Sequence, residues 1–139
     1  MVHASWPIPD KLPFTWGSSA RARMAEMLIA RHVLSPVQPA VMLTQGPTGN
    51  TPFAQTIEPG GCYVAIAAVA QGIPRGIGLR AVLGAREVID DRGPTDQAAL
   101  VAFCAGGRAR VHLEVEARGP GISWGMTPFR VASGAWEAR

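Results

Sequence analysis

The two cysteines of this 139-residue chain are candidates for a catalytic nucleophile, for metal ligands and for a disulfide bond. Cys62 opens the apolar stretch CYVAIAAVA beside the single tyrosine, and Cys104 closes the stretch AALVAFC. A catalytic cysteine needs a histidine base and a further group that orients the base. No spacing places the three histidines, His3, His32 and His112, beside such a partner. The sequence therefore predicts no catalytic residues, and we do not expect an enzyme.

A metal site and a disulfide bond are the other uses of this pair. Zinc takes about four ligands, and the sequence has no Cys-x-x-Cys or His-x-x-x-His pattern to supply them. If the two apolar stretches are antiparallel neighbours, or face each other across a β-sandwich, the start of one lies beside the end of the other. Cys62 and Cys104 then come within reach of each other. Two buried free thiols are the alternative, because free cysteine packs as a small hydrophobe, and the spacing leaves both open.

The segment DDRGPTD holds the acidic cluster of the chain, namely Asp90, Asp91 and Asp96. Three carboxylates in a turn with glycine and proline can bind calcium together with backbone carbonyls and water, although the spacing is not that of an EF-hand. The alternative is a solvated loop in which Arg92 is the counter-charge. These three residues are the candidate metal ligands, and we expect no cofactor.

Two glycine-rich motifs superficially match nucleotide-binding sequences. GIGLRA, residues 76–81, fits Gly-x-Gly-x-x-Ala, but that motif must lie between a strand and a helix. Here Pro74 precedes it and a strand-like sequence follows, so we interpret the glycines as part of a twisted or bulged strand. GPTGNT, residues 46–51, lacks the lysine of a P-loop, and Pro52 opposes a following helix. It predicts a turn between strands.

The charge pattern argues against a nucleic-acid-binding protein. The net charge is +3, but the basic residues are spread along the chain among the acidic ones rather than grouped on one element. No apolar run is long enough for a membrane-spanning helix. We therefore expect neither nucleic acid nor a membrane-spanning segment. The expected partner is another protein or a second copy of the chain.

The first third of the chain differs in texture from the rest. Residues 1–16 hold three prolines and predict an extended arm. Trp6, Phe14 and Trp16 in this arm are too apolar to leave in water and are the candidate partner-binding residues. Residues 17–36 predict an N-terminal helix over about 19–33, with a serine N-cap and an end at a Ser-Pro pair. The helix either covers the chain's own sheet with its Met/Leu stripe or docks on a partner.

Residues 37–139 alternate short apolar stretches with turn residues, which is typical of an antiparallel β-sandwich, either a jelly roll or an immunoglobulin-like fold. In ARVHLEVEA, alternation turns Val111, Leu113 and Val115 inward and His112, Glu114 and Glu116 outward. The stretch 62–70 is apolar on both faces and should be a central strand. The fold class is thus mainly β with one N-terminal α-helix, and the seven predicted strands are 39–45, 53–58, 62–70, 76–83, 98–104, 109–117 and 121–131.

The order of the motifs resembles exported bacterial β-sandwich modules related to the pre-peptidase C-terminal type of domain. The similarity covers about residues 50–132 and is carried by Cys62-Tyr63, Leu79, Asp90-Asp91, Phe103-Cys104, Val111–Val115 and Gly119-x-Gly121 before Trp124. The resemblance implies a Cys62–Cys104 disulfide, a secreted, periplasmic or cell-envelope location with the signal segment absent from this chain, and a binding role. Such modules often carry acidic, calcium-binding residues before the strand of Leu79, where this chain has arginines.

Two functional hypotheses follow. The first is a non-catalytic exported module for protein–protein association or envelope assembly, with the arm and the helix as docking elements. The second is a calcium- or carbohydrate-binding sandwich that uses the aspartates 90, 91 and 96 or an aromatic rim. Of the four tryptophans, we expect Trp124 to lie in the core.

Overall fold

A computed structural model describes residues 44–107 and 109–131, together with Arg23, Met24 and Met27. The predicted arm, with Trp6, Phe14 and Trp16, lies outside these residues, as does the predicted helix apart from the three residues just named. No helix among the described residues could span a membrane. The described part contains eight antiparallel strands: β1 (Thr44–Pro47), β2 (Gly49–Thr56), β3 (Cys62–Gln71), β4 (Gly76–Leu83), β5 (Arg86–Arg92), β6 (Ala98–Cys104), β7 (Arg110–Arg118) and β8 (Ser123–Val131).

The strands form two four-stranded sheets, in the orders β1-β8-β3-β6 and β2-β7-β4-β5. In an immunoglobulin fold the first two strands are neighbours in one sheet. Here β1 and β2 belong to different sheets, and the chain changes sheet at every connection except the β4–β5 hairpin, as it does in an eight-stranded jelly roll. Of the two architectures predicted from the sequence, the structure therefore has the jelly-roll order.

The apolar stretch at Cys62 forms β3, which lies between β8 and β6 and is the central strand that we predicted. Its alternate side chains serve two apolar clusters. Tyr63 and Val69 join the core between the sheets, whereas Val64 and Ile66 join a second cluster on the outer surface of the β1-β8-β3-β6 sheet. Because both faces of β3 are covered, apolar residues are favoured at nearly every position.

Residues from the N-terminal third cover this second cluster. Met24 is 0% exposed and packs in it, and Met27 lies against it. The Arg23 guanidinium donates a hydrogen bond to the carbonyl of Val69. Thr127, on β8, is also fully buried, and its hydroxyl has no hydrogen-bond partner among the described residues. This outer surface is therefore closed by the chain itself, at least around Met24.

Trp124 lies in the core, as expected, and closes the sandwich near β1. It is 0% exposed, and its Nε1 donates to the carbonyl of Pro47 at 2.8 Å. Gly46 pairs with Trp124 across β1 and β8, and a Cβ at Gly46 would lie 2.9 Å from the indole Cε2. Glycine is required here because the indole occupies the space of a side chain.

The turn that we predicted at GPTGNT is confined to one residue, because residues 46–47 belong to β1 and residues 49–51 to β2. Thr48 lies in it and binds the connection between β7 and β8. Its hydroxyl donates to the carbonyl of Gly119 at 2.8 Å and accepts from the amide of Ile122 at 3.0 Å. The Thr48 side chain thus links the β1–β2 connection to the β7–β8 connection, close to Trp124.

The prediction of a turn over Asp90–Asp96 was wrong in its first half, because the described residues include a strand there, β5, that is not among the seven predicted. The predicted strand 39–45 lies mostly outside the described residues. Strand β5 extends to Arg92 and pairs with β4 throughout. Strand β5 is an edge strand with one face exposed to solvent. Its charged residues therefore alternate with few apolar ones, and this local pattern is typical of a loop. GIGLRA lies inside β4, whose bounds match the predicted strand.

Candidate functional site

The two cysteines form a disulfide bond and supply no thiolate. Cys62 and Cys104 lie directly opposite each other on β3 and β6, 42 positions apart in the sequence. No free cysteine remains among the residues that the structure describes. Cys62 belongs to the outer apolar cluster and Tyr63 to the core, on opposite faces of the strand.

Tyr63 is held as a core residue rather than as a catalytic group. Its ring stacks on Phe103, with 5.7 Å between the centroids, and its hydroxyl accepts a hydrogen bond from the amide of Glu58 at 2.9 Å. Burial raises the pKa of the Tyr63 phenol above 10.0, because the charged phenolate would lose its hydration. The residue therefore stays neutral and structural at physiological pH.

The structure does not bring the three candidate calcium ligands together. Asp90 points inward from β5, where its Oδ2 accepts a hydrogen bond from the amide of Leu100 at 2.8 Å. Asp91 follows it on the same strand and points to the other side. Asp96 approaches Arg92 only at 4.0 Å. In the described ranges, no group of three His, Cys, Asp or Glu side chains could hold a metal ion.

Asp90 has a structural role that the sequence did not reveal. It also accepts a hydrogen bond from Arg92 Nε at 2.9 Å. Strands β5 and β6 are the edges of different sheets, so the bond to Leu100 ties the two sheets together at their open side. Recognising this contact requires the register of β5, which is a long-range property.

The outer surface of the β2-β7-β4-β5 sheet carries eight of the described ionisable side chains, and we call it the polar face. Strand β7 alternates as predicted, with buried Val111, Leu113 and Val115. The registers of β2, β4 and β5 on either side of β7 align their outward positions with it. The ionisable side chains of the polar face are Arg80, Glu87, Asp91, Arg110, His112, Glu114, Glu116 and Arg118.

Two arginines organise the charges of the polar face. Arg80 on β4 forms ion pairs with Glu87 on β5 and with Glu114 on β7, the latter at 3.4 Å. The hydrogen bond and charge of Glu87 raise the pKa of Arg80 above its usual value. This side chain therefore links three adjacent strands, and its charge is shared between two carboxylates.

The second arginine, Arg118, lies at the other end of β7. It binds Asp91 at 3.0 Å and Glu116 at 3.1 Å, and it donates to the carbonyl of Arg92 at 3.2 Å. A Cβ at Gly76 would lie 2.7 Å from its Cζ, so this glycine leaves room for the guanidinium to lie across β4.

A groove of about 710 Å³ lies at the opposite end of the polar face from Arg118. We call it the basic groove, and it is lined by Val82, Gly84, Gly107, Ala109, Arg110 and His112. Strands β4 and β7 supply its floor, and the β4–β5 and β6–β7 connections supply its walls. Sequence reasoning placed His112 outward but missed the groove, because Gly84 and Gly107 meet only through the pairing of β4 with β7.

Of the three histidines considered as catalytic bases, the described part of the chain includes His112 alone. His112 is on the polar face, whereas His3 and His32 lie outside the described residues. Among the described residues, the polar side chains that line the basic groove are the guanidinium of Arg110 and the imidazole of His112. Both are donors suited to binding an anionic group rather than to nucleophilic attack.

Comparison with known proteins identifies the fold but no family. No protein-family model and no curated protein matches the chain, so the resemblance stated above stays a prediction. A solved structure of AlgX from Pseudomonas aeruginosa is similar over 79% of this chain, with 15% identity and a TM-score of 0.52. The chain spans 31% of that protein. The 3'-monoepimerase ChmJ from Streptomyces bikiniensis is similar over 76% of this chain and 52% of its own, with 10% identity and a TM-score of 0.43. Likeness at this identity concerns the fold alone.

Proposed function

We propose that this chain is a non-catalytic β-sandwich module of an exported protein, and that it associates with another protein through its polar face. The supporting observation is Ile89, which is 56% exposed in the middle of β5. It lies opposite Arg80 in the β4–β5 register, between Glu87 and Asp91. An apolar side chain surrounded by ion-paired charges matches the arrangement of an interface anchor with a polar rim.

The difference between the two outer surfaces of the sandwich supports this choice. The outer surface of the β1-β8-β3-β6 sheet is apolar and is covered around Met24 by the chain itself. The polar face has no described segment over it. Its ion pairs restrain Arg80 and Arg118 before any partner arrives, which lowers the entropy lost on association. A partner whose charges alternate in the complementary order would then bind in one orientation, and a protein without that pattern would be repelled.

The disulfide supports the exported part of the proposal. Disulfides persist in secreted, periplasmic and surface proteins and are rare where thiols are kept reduced. A Cys62–Cys104 bond is therefore consistent with a secreted, periplasmic or cell-envelope location.

The N-terminal residues complete the proposal. A helix over about 19–33 would extend the cover that Met24 and Met27 begin on the outer apolar cluster. The arm before it, with Trp6, Phe14 and Trp16, would then be a second docking element, since aromatic side chains dominate interface hot spots. Deleting residues 1–16 tests this part separately from the polar face.

The test of the polar face uses the two exposed large hydrophobic residues among those described. Ile89→Asp changes the proposed interface, and Ile73→Asp makes the same change in the β3–β4 connection, where Ile73 is 79% exposed. Tagged protein is incubated with an envelope fraction, and captured proteins are quantified for wild type and both variants. We expect a partner that wild type and Ile73→Asp retain and Ile89→Asp loses. Equal capture by all three proteins, with equal unfolding midpoints, would refute an interface at Ile89.

Carbohydrate binding is the second candidate function, and the basic groove is the observation that favours it. Its volume falls within the range of about 300–1,000 Å³ that is common for small-ligand sites. A glycan array that includes acidic and neutral sugars tests it with wild type and Arg110→Gln. Binding that requires Arg110 would support a sugar site, and a flat response would remove this function.

A further inference from the structure

The basic groove is a preformed cleft, because hydrogen bonds hold the connection that forms one wall. The amide of Ile57 donates to the carbonyl of Ala109 at 2.9 Å, and the amide of Ala105 donates to the carbonyl of Gly61 at 2.7 Å. The opposite wall is the tight turn after β4, where Gly84 has a positive φ of 62°. Both walls are therefore set by backbone geometry, and their glycines leave room for a ligand to approach.

Among the described residues, no carboxylate neutralises Arg110, a cation that lines this groove. On the polar face, Arg80 and Arg118 each bind two carboxylates. Arg110 is exposed, and its side chain forms no ion pair with any carboxylate in the described part of the chain. Its five N–H donors are thus available, and a planar guanidinium binds a carboxylate in a bidentate manner.

The acidic residues nearest to the groove are already engaged. Glu87 lies opposite Val82 on the neighbouring strand, and Glu114 follows His112 outward on β7. Both carboxylates bind Arg80. The end of the polar face at the groove is therefore basic. The other end carries the carboxylates of Asp91 and Glu116 around Arg118. An extended ligand with a carboxylate at one end fits this polarity.

We propose that the basic groove binds an acidic peptide segment of the partner protein, with Arg110 holding a carboxylate and His112 as a second donor. This inference rests on the proposed function and names the chemistry that the partner presents. A peptide fits better than a sugar because the described lining contains no Phe, Tyr or Trp ring on which a sugar could stack. The groove opens onto the polar face, where a chain could continue past Arg80 towards Ile89.

The test measures binding of a capped hexaglutamate peptide at low ionic strength, with hexaglutamine as the neutral control. Arg110→Gln should weaken binding about tenfold, as expected for the loss of a charge-assisted hydrogen-bonded pair. Arg75→Gln removes the same charge from an exposed site outside the groove and should leave affinity nearly unchanged. Arg110→Lys should restore part of the affinity, because it keeps the charge but not the bidentate geometry.

A second variant places a competing carboxylate in the groove without altering Arg110. A side chain at Gly107 meets nothing within 4 Å, so Gly107→Asp should fold normally and reduce hexaglutamate affinity at least as much as Arg110→Gln. Gly93→Asp makes the same change at another glycine with open space, outside the groove, and should bind as the wild type does. Added salt should weaken wild-type binding.

Three outcomes would overturn the inference. The first is that hexaglutamate does not bind, and the second is that it binds only weakly and equally to the variants inside the groove (Arg110→Gln and Gly107→Asp) and outside it (Arg75→Gln and Gly93→Asp). The third is that the protein binds only an acidic oligosaccharide such as oligogalacturonate. The first two leave the capture experiment with Ile89→Asp untouched, so the proposed function could still hold. Conversely, capture that is insensitive to Ile89→Asp with Arg110-dependent hexaglutamate binding would refute the interface but not the groove.

Discussion

Reducing the Cys62–Cys104 bond should lower the free energy of unfolding by about 4 kcal/mol. The two cysteines are 42 positions apart. In the chain-entropy model, closing a loop of that length removes about 13 cal/mol/K from the unfolded ensemble, which is about 4 kcal/mol at 25 °C. The effect lies in the unfolded state, so the folded contacts around the sulfurs do not need to change.

The same figure predicts the thermal shift. The unfolding entropy of a chain of 139 residues is about 0.3 kcal/mol/K at about 2.1 cal/mol/K per residue. A loss of about 4 kcal/mol therefore lowers Tm by about 14 °C. Since domains of this kind are stable by about 5–15 kcal/mol, the reduced protein should remain folded but close to its limit.

The assay is urea unfolding of the oxidised and the reduced wild-type protein, with the thiol content of each checked by alkylation. The reduced unfolded chain is more expanded, so its m-value should also rise. The variant Cys62→Ala/Cys104→Ala provides a control, because it removes the crosslink without a reductant. It should match the reduced protein to within the cost of its small packing loss.

Two results would refute this reasoning. If the oxidised and reduced proteins differ by less than about 1 kcal/mol, loop closure is not what the bond contributes. If the double alanine variant loses stability while the reduced wild type does not, the sulfur atoms matter through packing in the outer apolar cluster instead.

Three further stability predictions test individual contacts. Gly46→Ala should cost about 1–3 kcal/mol, because the new methyl group overlaps the buried indole opposite it; Gly107→Ala, in open space, is the control. Thr48→Val removes two hydrogen bonds to the β7–β8 connection and should cost about 1–3 kcal/mol in urea unfolding, whereas Thr56→Val on the exposed surface should be near neutral. Because burial raises the pKa of Tyr63, folding stability should fall as pH rises above 10.0, where the unfolded phenol ionises first. Tyr63→Phe should remove that part of the alkaline loss, and stability that is independent of pH in both proteins would contradict it.

The strands that were predicted best are those whose signal is local. Strands β4 and β6 have the predicted bounds, and β3 is central, as its two apolar faces indicated. The alternation in β7 correctly turned His112, Glu114 and Glu116 outward. Period-two alternation and turn residues are properties of neighbouring positions, so they are readable before any pairing is known.

The missed features depend on pairing between distant segments. Strand β5 was not predicted, and its last three residues were placed in a turn, because its pattern of charges is not that of a half-buried strand. Only the register with β4 shows that Asp90 faces inward, towards Leu100, while Asp91 faces Arg118. The calcium interpretation treated these adjacent carboxylates as neighbours in space, whereas a strand turns them to opposite sides.

The sequence by itself determined that this chain forms an antiparallel β-sandwich, that the stretch 62–70 and the alternate residues of β7 lie inside, and that its two cysteines lie at strand ends where they can meet. Each of these follows from hydrophobic alternation and turn chemistry within short stretches. The tertiary structure alone decided the jelly-roll order, the ion pairs of the polar face and the basic groove between Gly84 and Gly107. These depend on which strands pair and in what register, and that choice is made by the packing of the whole core.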